Sequence, residues 1–414
     1  MTPAARLSAA MALLDAFAAP DETPMMDGLL ARWARANRYA GSKDRAAIAD
    51  LVYQALRRWR AGERLGSTGR ARLLGALRAD GASVEALSAL CDGSRYGPQP
   101  LRSDEAAGLA SWRAEDAPIE WPEWLWPELA RSVADPAAEA AAQTVRAPVD
   151  LRVNASKATV RRAAERLAEE GIATEPAPLS PWALRLAGPA RVERGSVFAE
   201  GWVEIQDAAS QAVALLAGGL APDREGVVIL DACAGGGGKS LALAAARPDA
   251  RILAYDVEPR RMADLAPRAA RAGARIERLD AARLERWAGR CDLALVDAPC
   301  SGSGAWARNP DAKWRLTPDR FAALQSAQRS ALRLGAEAIA PGGVLVYATC
   351  SLLRAENEDV CAEALQTLPG ATPIALAEAW ARARLAGSPS MACEARFSPA
   401  TTQTDGFYAT ALRL

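Results

Sequence analysis

The stretch VVILDACAGGGGKSLALAA, residues 227–245, decides how the second half of this chain is read. It opens on an apolar run, passes through four consecutive glycines, and continues with a leucine- and alanine-rich segment suited to a helix. A strand, a glycine turn and a helix N-terminus together make a site for a nucleotide-like ligand. Glycine lets the backbone approach, and free N–H groups at the helix start face what is bound. Three users of that arrangement are common. The P-loop pattern G-x-x-x-x-G-K-[ST] finds Gly238, Lys239 and Ser240 but meets Cys233 where its first glycine belongs. The dinucleotide pattern G-x-G-x-x-G fails in both registers, ending on Ser240 or Leu241.

The third user is S-adenosylmethionine, which has a ribose with two hydroxyls and no pyrophosphate. Its binder needs a glycine turn, an acid at the end of the next strand for the ribose, and polar groups near the adenine. The residues outward from the loop suit this. Strands are expected over 226–231, 251–256, 275–280, 291–298 and 342–350, separated by helices over 239–246, 258–272, 281–287 and 318–340. Near-continuous apolar strands joined by helices imply a mostly parallel sheet covered on both faces, a Rossmann-like α/β fold. Residues 406–414 add a final strand, for which an antiparallel run is open. Asp256 and Asp280 close the second and third strands, and Asp297 closes the fourth. Ligands of such sheets bind at the carboxyl edge, so these acids join Cys233, Ala234, Gly235, Gly236, Gly237, Gly238 and Lys239 as candidate donor-binding residues. Asp256 is expected to accept from both ribose hydroxyls.

The 414 residues suggest two or three domains. Residues 1–146 read as all-helical, with few β-branched residues and a stripe of Ile48, Leu51, Val52 and Leu56 between basic positions. The three tryptophans of EWPEWLWPEL, residues 120–129, read as packing at a helix start. Residues 147–205 read as a small α/β module, with a strand near 149–156 and a helix over 157–172, too small to stand without docking. Residues 206–414 form the glycine-loop domain.

Lys and Arg total 50, as do Asp and Glu, so bulk charge announces no nucleic-acid binder. Local charge is uneven: Arg32, Arg35, Arg38, Lys43, Arg45, Arg57, Arg58 and Arg60 crowd the early chain. No apolar run approaches the length of a membrane span, and Asp15 interrupts the apolar part of the N-terminus, so a cytoplasmic protein with no membrane partner is expected.

There is no histidine, which excludes Ser-His-Asp triads, Cys-His pairs and histidine metal sites. Seven cysteines at irregular spacing, with no C-x-x-C, suggest neither a disulfide framework nor a metal centre. Two of them follow strands: Asp297-Ala298-Pro299-Cys300 and Ala348-Thr349-Cys350-Ser351. Parallel strands bring both thiols to the edge that carries the glycine loop. Cys91, Cys291, Cys361 and Cys393 read as core residues.

DACAGGGGK (231–239), DAPCSGSGAWARNPDAKW (297–314) and YATCSLLRAENE (347–358) resemble motifs of the RsmB-like (Sun/Fmu) family of RNA cytosine-5 methyltransferases. AGSKDRAAIADLVYQALR (40–57) is similar to the family's NusB-like helical domain, and LRVNASK (151–157) resembles the start of its connecting domain. VEIQDAASQ (203–211) and TDGFYATAL (404–412) also have counterparts. The chain departs at residues 233–239, where CAGGGGK stands for the family's C-A-A-P-G-G-K, and it lacks a histidine often found before T-D-G-F.

The resemblance implies an S-adenosylmethionine-dependent enzyme acting on structured RNA, with ribosomal RNA preferred over transfer RNA, and a monomer is expected. A non-catalytic RNA-binding or ribosome-assembly factor on the same fold is the rival reading. Carbon 5 of cytosine is a poor nucleophile. A thiolate adding at carbon 6 makes carbon 5 enamine-like, and an acid near ring nitrogen 3, for which Asp297 is placed, eases the addition. The residue pattern does not choose between the thiols; the resemblance assigns Cys350 as nucleophile and Cys300 as the group that aids its release. Arg57, Arg58, Arg60, Arg308 and Lys313 are the expected RNA phosphate contacts.

Overall fold

Alternation within the central strands builds the larger part of the protein. The computed structural model describes residues 1–19, 25–113, 115, 117–388 and 390–414. In it β5 (Val228–Asp231), β6 (Arg251–Ala254), β7 (Ile276–Arg278), β8 (Cys291–Asp297) and β9 (Ile339–Thr349) form one sheet with β10 (Thr372–Pro373), β11 (Glu394–Phe397) and β12 (Phe407–Arg413). The order runs β10-β12-β9-β8-β5-β6-β7, with β11 on β12. Pairs from β7 through β9 are parallel, and β12 runs antiparallel to β9. Strand order therefore reverses between β5 and β8, the place where sheets of this kind bind ligands.

Successive side chains of a strand point to opposite faces. Ile229, Leu293, Leu295, Val344 and Val346 pack with the helix Ala208–Leu220 on one face. Leu230, Ala294, Val296, Leu345 and Tyr347 pack on the other, with Leu332 and Val360 from the helices Pro318–Ala338 and Glu358–Thr367. Both faces are dry, which explains the uninterrupted apolar runs.

Helix ends follow local chemistry. Thr159 caps the helix Val160–Glu169 through Arg162 N, and Thr317 caps Pro318–Ala338 through Arg320 N. The single helix expected over 258–272 is instead a 3-10 turn, Pro259–Met262, followed by a helix Leu265–Ala272. Pro267 accounts for the break: a proline lacking its N–H is tolerated in a first turn and not mid-helix. Gly273, at φ +70°, ends that helix in the left-handed region.

The chain divides into two compact units: Met1–Pro127, Asp135–Arg146 and Trp306–Arg315 make one, and Glu128–Ala134, Ala147–Ala305 and Leu316–Leu414 the other. The small module belongs to the second unit. Its antiparallel sheet, β2-β3-β1-β4, comprises β1 (Asp150–Val153), β2 (Thr174–Pro176), β3 (Ala183–Leu186) and β4 (Val203–Ile205), and Leu167 of Val160–Glu169 joins Leu151, Leu184 and Val203 in its core. The first unit is helical around Leu7, Leu14, Ile48, Val52, Leu56 and Leu73. Trp306–Arg315 joins it through Trp306, whose ring centroid lies 4.6 Å from that of Trp121, and through Trp314 Nε1, which donates to Leu56 O at 2.7 Å. Among the described residues no helix is long and apolar enough to cross a membrane.

Candidate active site

The glycine loop leaves β5 at Asp231 and enters the helix Gly238–Ala246. Ala234 N donates to Tyr255 O at 2.9 Å, and Gly235 N to Asp256 Oδ2 at 3.0 Å. Gly235 at φ +49° and Gly237 at φ +82° hold left-handed conformations. A Cβ on Gly237 would lie 2.2 Å from Leu265 Cδ1, so this position admits only glycine. The Gly236 carbonyl accepts from Arg268, whose guanidinium is itself paired with buried Glu204. That strut acts where the related motif carries proline.

Asp256 is 1% exposed and already accepts from Gly235 N and, at 2.9 Å, Glu258 N, with Arg261 Nη1 3.3 Å away. It is thus an anchor of the loop. Asp280 is exposed and caps Ala281–Glu285 through Arg283 N. Asp231 is buried, accepts from Ser240 Oγ at 2.6 Å, and has no partner for Oδ1. Burial pushes its carboxyl up to about 6. Burial also raises the Cys233 thiol.

Lys239 Nζ stands 2.7 Å from Asp297 Oδ2 and 4.7 Å from the Phe407 ring centroid. Burial alone would lower this ammonium, but the charge and hydrogen bond of Asp297 outweigh it and hold it above the usual lysine range. Three residues beyond Asp297, Cys300 Sγ lies 3.3 Å from Cys350 Sγ. The hydrogen bond to Cys350, then burial, holds the Cys300 thiol well above its ordinary range. Cys300 therefore keeps its proton at neutral pH, and either sulfur can donate in the contact between them.

Three polar residues that the sequence reading did not single out frame the thiols. Ser301 and Ser351, each following a cysteine, both donate to Glu356, which is fully buried. Gln328 Nε2 donates to Pro299 O and to Glu356 Oε1, both at 3.0 Å. The repeated Cys-Ser pair was a signal for the serines. Gln328, mid-helix, offered none.

The expected RNA contacts are placed differently. Lys313 is fully buried, and its Nζ donates to Glu120 O at 2.8 Å. Burial lowers this ammonium, and a phosphate role does not fit it. Arg57 Nε donates to Ala307 O at 2.8 Å, Arg58 pairs with Asp80 at 2.8 Å, and Arg60 pairs with Glu123. Arg308 is half-buried. Arg32, Arg35 and Arg38 are exposed. A cavity of about 790 Å³ lined by Arg251, Arg275 and Glu277 opens at the amino ends of β6 and β7, the edge opposite the thiols.

Two family descriptions match this chain: "16S rRNA methyltransferase RsmB/F" over residues 217–413, and its ferredoxin-like domain over residues 121–193. Ribosomal RNA small subunit methyltransferase B of Salmonella newport is 38% identical over 234 residues, 56% of this chain and 54% of that protein. The chain thus matches about half the length of such curated relatives. A methyltransferase homolog protein from Pyrococcus horikoshii has a TM-score of 0.56 at 26% identity, covering 70% of this chain and 99% of that one. The fold is shared with NSun6 from Pyrococcus horikoshii, crystallised with SFG, at a TM-score of 0.60 and 18% identity over 71% of this chain and 98% of that one. Across both matched spans, with the strand order and glycine loop described above, this chain belongs to the RsmB/F methyltransferase family.

Proposed function

We propose that the protein is an S-adenosylmethionine-dependent RNA cytosine-5 methyltransferase acting on ribosomal RNA through a covalent bond between Cys350 and the target base. The carrying observation is the 3.3 Å separation of Cys300 and Cys350 at the carboxyl ends of adjacent parallel strands. The relative from Salmonella, named for the small ribosomal subunit, supports the choice of RNA.

The loop fits the methyl donor. Gly235 and Gly237 leave its backbone bare, a Cβ on Gly235 would have no neighbour closer than Arg261 Nη2 at 3.7 Å, and Asp256 and Asp280 stand at the two following strand ends. Cys233–Lys239, Asp256 and Asp280 would hold it, and Asp297 would border it. When bound, S-adenosylmethionine supplies a methyl group on a sulfonium. The chain's residues do the rest. Cys350 adds to carbon 6 of a flipped or unpaired cytosine. Asp297, held by Lys239, takes the proton that Cys350 gives up as it adds and donates it to ring nitrogen 3. Once carbon 5 is methylated, its proton passes to solvent water as the Cys350 sulfur leaves, and Cys300 gives that sulfur a proton and regains its own from solvent. Arg32, Arg35 and Arg38, which are exposed, are the proposed phosphate contacts, with Arg308, in place of Arg57, Arg58 and Arg60.

The test is denaturing electrophoresis of each cysteine variant with ribosomal or transfer RNA and labelled donor. Cys350→Ala forms no adduct and no 5-methylcytosine. Cys300→Ala attacks and methylates but releases slowly, so methylated ribosomal RNA stays on the protein. A folded Cys300→Ala that traps nothing, or trapping by Cys350→Ala, overturns the roles; trapping of transfer RNA alone overturns the substrate.

A further inference from the structure

Glu356 is fully buried, and among the described residues it makes no ion pair. Ser301 N donates to Oε1 at 2.8 Å and Gln328 Nε2 to the same oxygen at 3.0 Å. Ser301 Oγ and Ser351 Oγ both donate to Oε2 at 2.5 Å. Four donors fill the acceptor positions of one carboxylate. Burying such a group without a cation is costly, so its place between the two loops asks for a reason.

The network spans both thiol loops. Ser301 follows Cys300, and Ser351 follows Cys350. Gln328 also binds Pro299 O, so the backbone is pinned on both sides of Cys300. Leu352 N donates to Ser303 Oγ at 2.9 Å, and Gly304 N to Cys350 O at 3.0 Å, so each loop also grips the other. Glu356 is itself fixed: its carbonyl accepts from Tyr347 Oη at 2.6 Å, and Asn357 Nδ2 donates to Ser351 O at 3.0 Å. Glu356 touches neither sulfur, and acts through its serines.

We propose that Glu356 is the positioning residue of the thiol pair, tying the Cys300 and Cys350 loops through Ser301 and Ser351 so that the two sulfurs stay in contact. This deepens the proposed methyltransferase reading and rests on it for its catalytic meaning. Its charge adds to the effects that keep Cys300 protonated.

The test separates the tie from the reaction. Diamide converts two adjacent thiols to a disulfide while being reduced to its hydrazine, and needs neither RNA nor donor. The Cys300–Cys350 linkage is followed by mass spectrometry of the linked peptides in the folded full chain. Glu356→Ala is expected to slow that linkage by about 10-fold or more, because sulfurs no longer held together lose effective concentration. Glu356→Gln is expected to stay within about 3-fold of wild type: its amide oxygen accepts from Ser301 N and Gln328, and its NH₂ donates to serine hydroxyls that rotate to accept. In methylation assays Glu356→Ala lowers kcat while both KM values hold. A folded Glu356→Ala that links at the wild-type rate overturns the proposal. If that variant does not fold, the Ser301→Ala/Ser351→Ala double variant decides on the same criterion. Failure of the wild-type chain to methylate RNA would overturn the enzyme reading and leave the linkage result standing.

Discussion

The Lys239 ammonium and the Asp297 carboxylate meet at 2.7 Å, joining the helix after the glycine loop to the end of the strand that leads to Cys300. The Lys239 side chain is 9% exposed and that of Asp297 28%, so losing one partner has unequal consequences. Asp297→Asn strands a buried cation and should cost about 2–3 kcal/mol, below the range for a fully buried pair because water reaches one side. Lys239→Met leaves a carboxylate that can turn to solvent and should cost less. Denaturant melts of both variants check the order. Asp297→Asn should also lower kcat by about 100-fold or more if the acid works on the base.

Asp256→Ala should weaken S-adenosylhomocysteine binding by about 1.5–3 kcal/mol in calorimetry. It should also lower stability by about 1–3 kcal/mol, because the N–H groups of Gly235 and Glu258 lose a buried acceptor. Full affinity in a folded variant would move the ribose partner elsewhere.

Asp231 gives a pH signature. Its folded-state value of about 6 lies above that of an unfolded aspartate. Between roughly pH 4 and 6 the native protein holds a proton that the unfolded chain has released. Its contribution to stability is therefore complete below that window and is lost as pH rises through it, by up to about 3 kcal/mol. Asp231→Asn cannot ionise, and its stability should exceed that of wild type by a margin that grows across the window. Parallel pH–stability curves would count against this.

Gly237→Ala should disable the donor loop. The left-handed φ costs an L-residue about 1–2 kcal/mol, and the added Cβ meets Leu265 at 2.2 Å. Thermal shift should show a lowered Tm and no response to S-adenosylhomocysteine. Gly226, with nothing near its would-be Cβ, is the control for backbone strain alone.

The strands, their parallel order and the meeting of the two cysteines were legible because each rests on a local pattern: an apolar run, a glycine turn, a residue just past a strand. The final strand was equally open, since Phe407, Ala409 and Ala411 alternate with Tyr408 and Leu412 between the two cores, whereas its antiparallel direction is set only by its pairing with β9. What escaped depends on partners far along the chain. Lys313 looks like a surface charge until Glu120 O, 193 residues away, is found against it. The arginines at 57, 58 and 60 formed a basic cluster in sequence, yet Ala307 O, Asp80 and Glu123 claim them one by one. Trp306–Arg315 left its expected domain because aromatic packing with Trp121 and Leu56 O outweighs sequence proximity.

From Leu293 to Asp297 strand β8 pairs in register with β9, Asp297 beside Ala348, with Ala298 N bonded to Ala348 O at 2.8 Å. The sheet thus brings the two strand ends side by side by a hydrogen-bond spacing that every parallel sheet has in common, and the Glu356 tie then fixes the sulfurs that lie just beyond it. The segment joining the strands, including the helix Pro318–Ala338, can lengthen or shorten at its outer turns without moving either thiol. The outer turns of that connection are thus open to remodelling while its Cys300 and Gln328 turns are held, and a one-residue slip of β9 would send Cys350 to the wrong face.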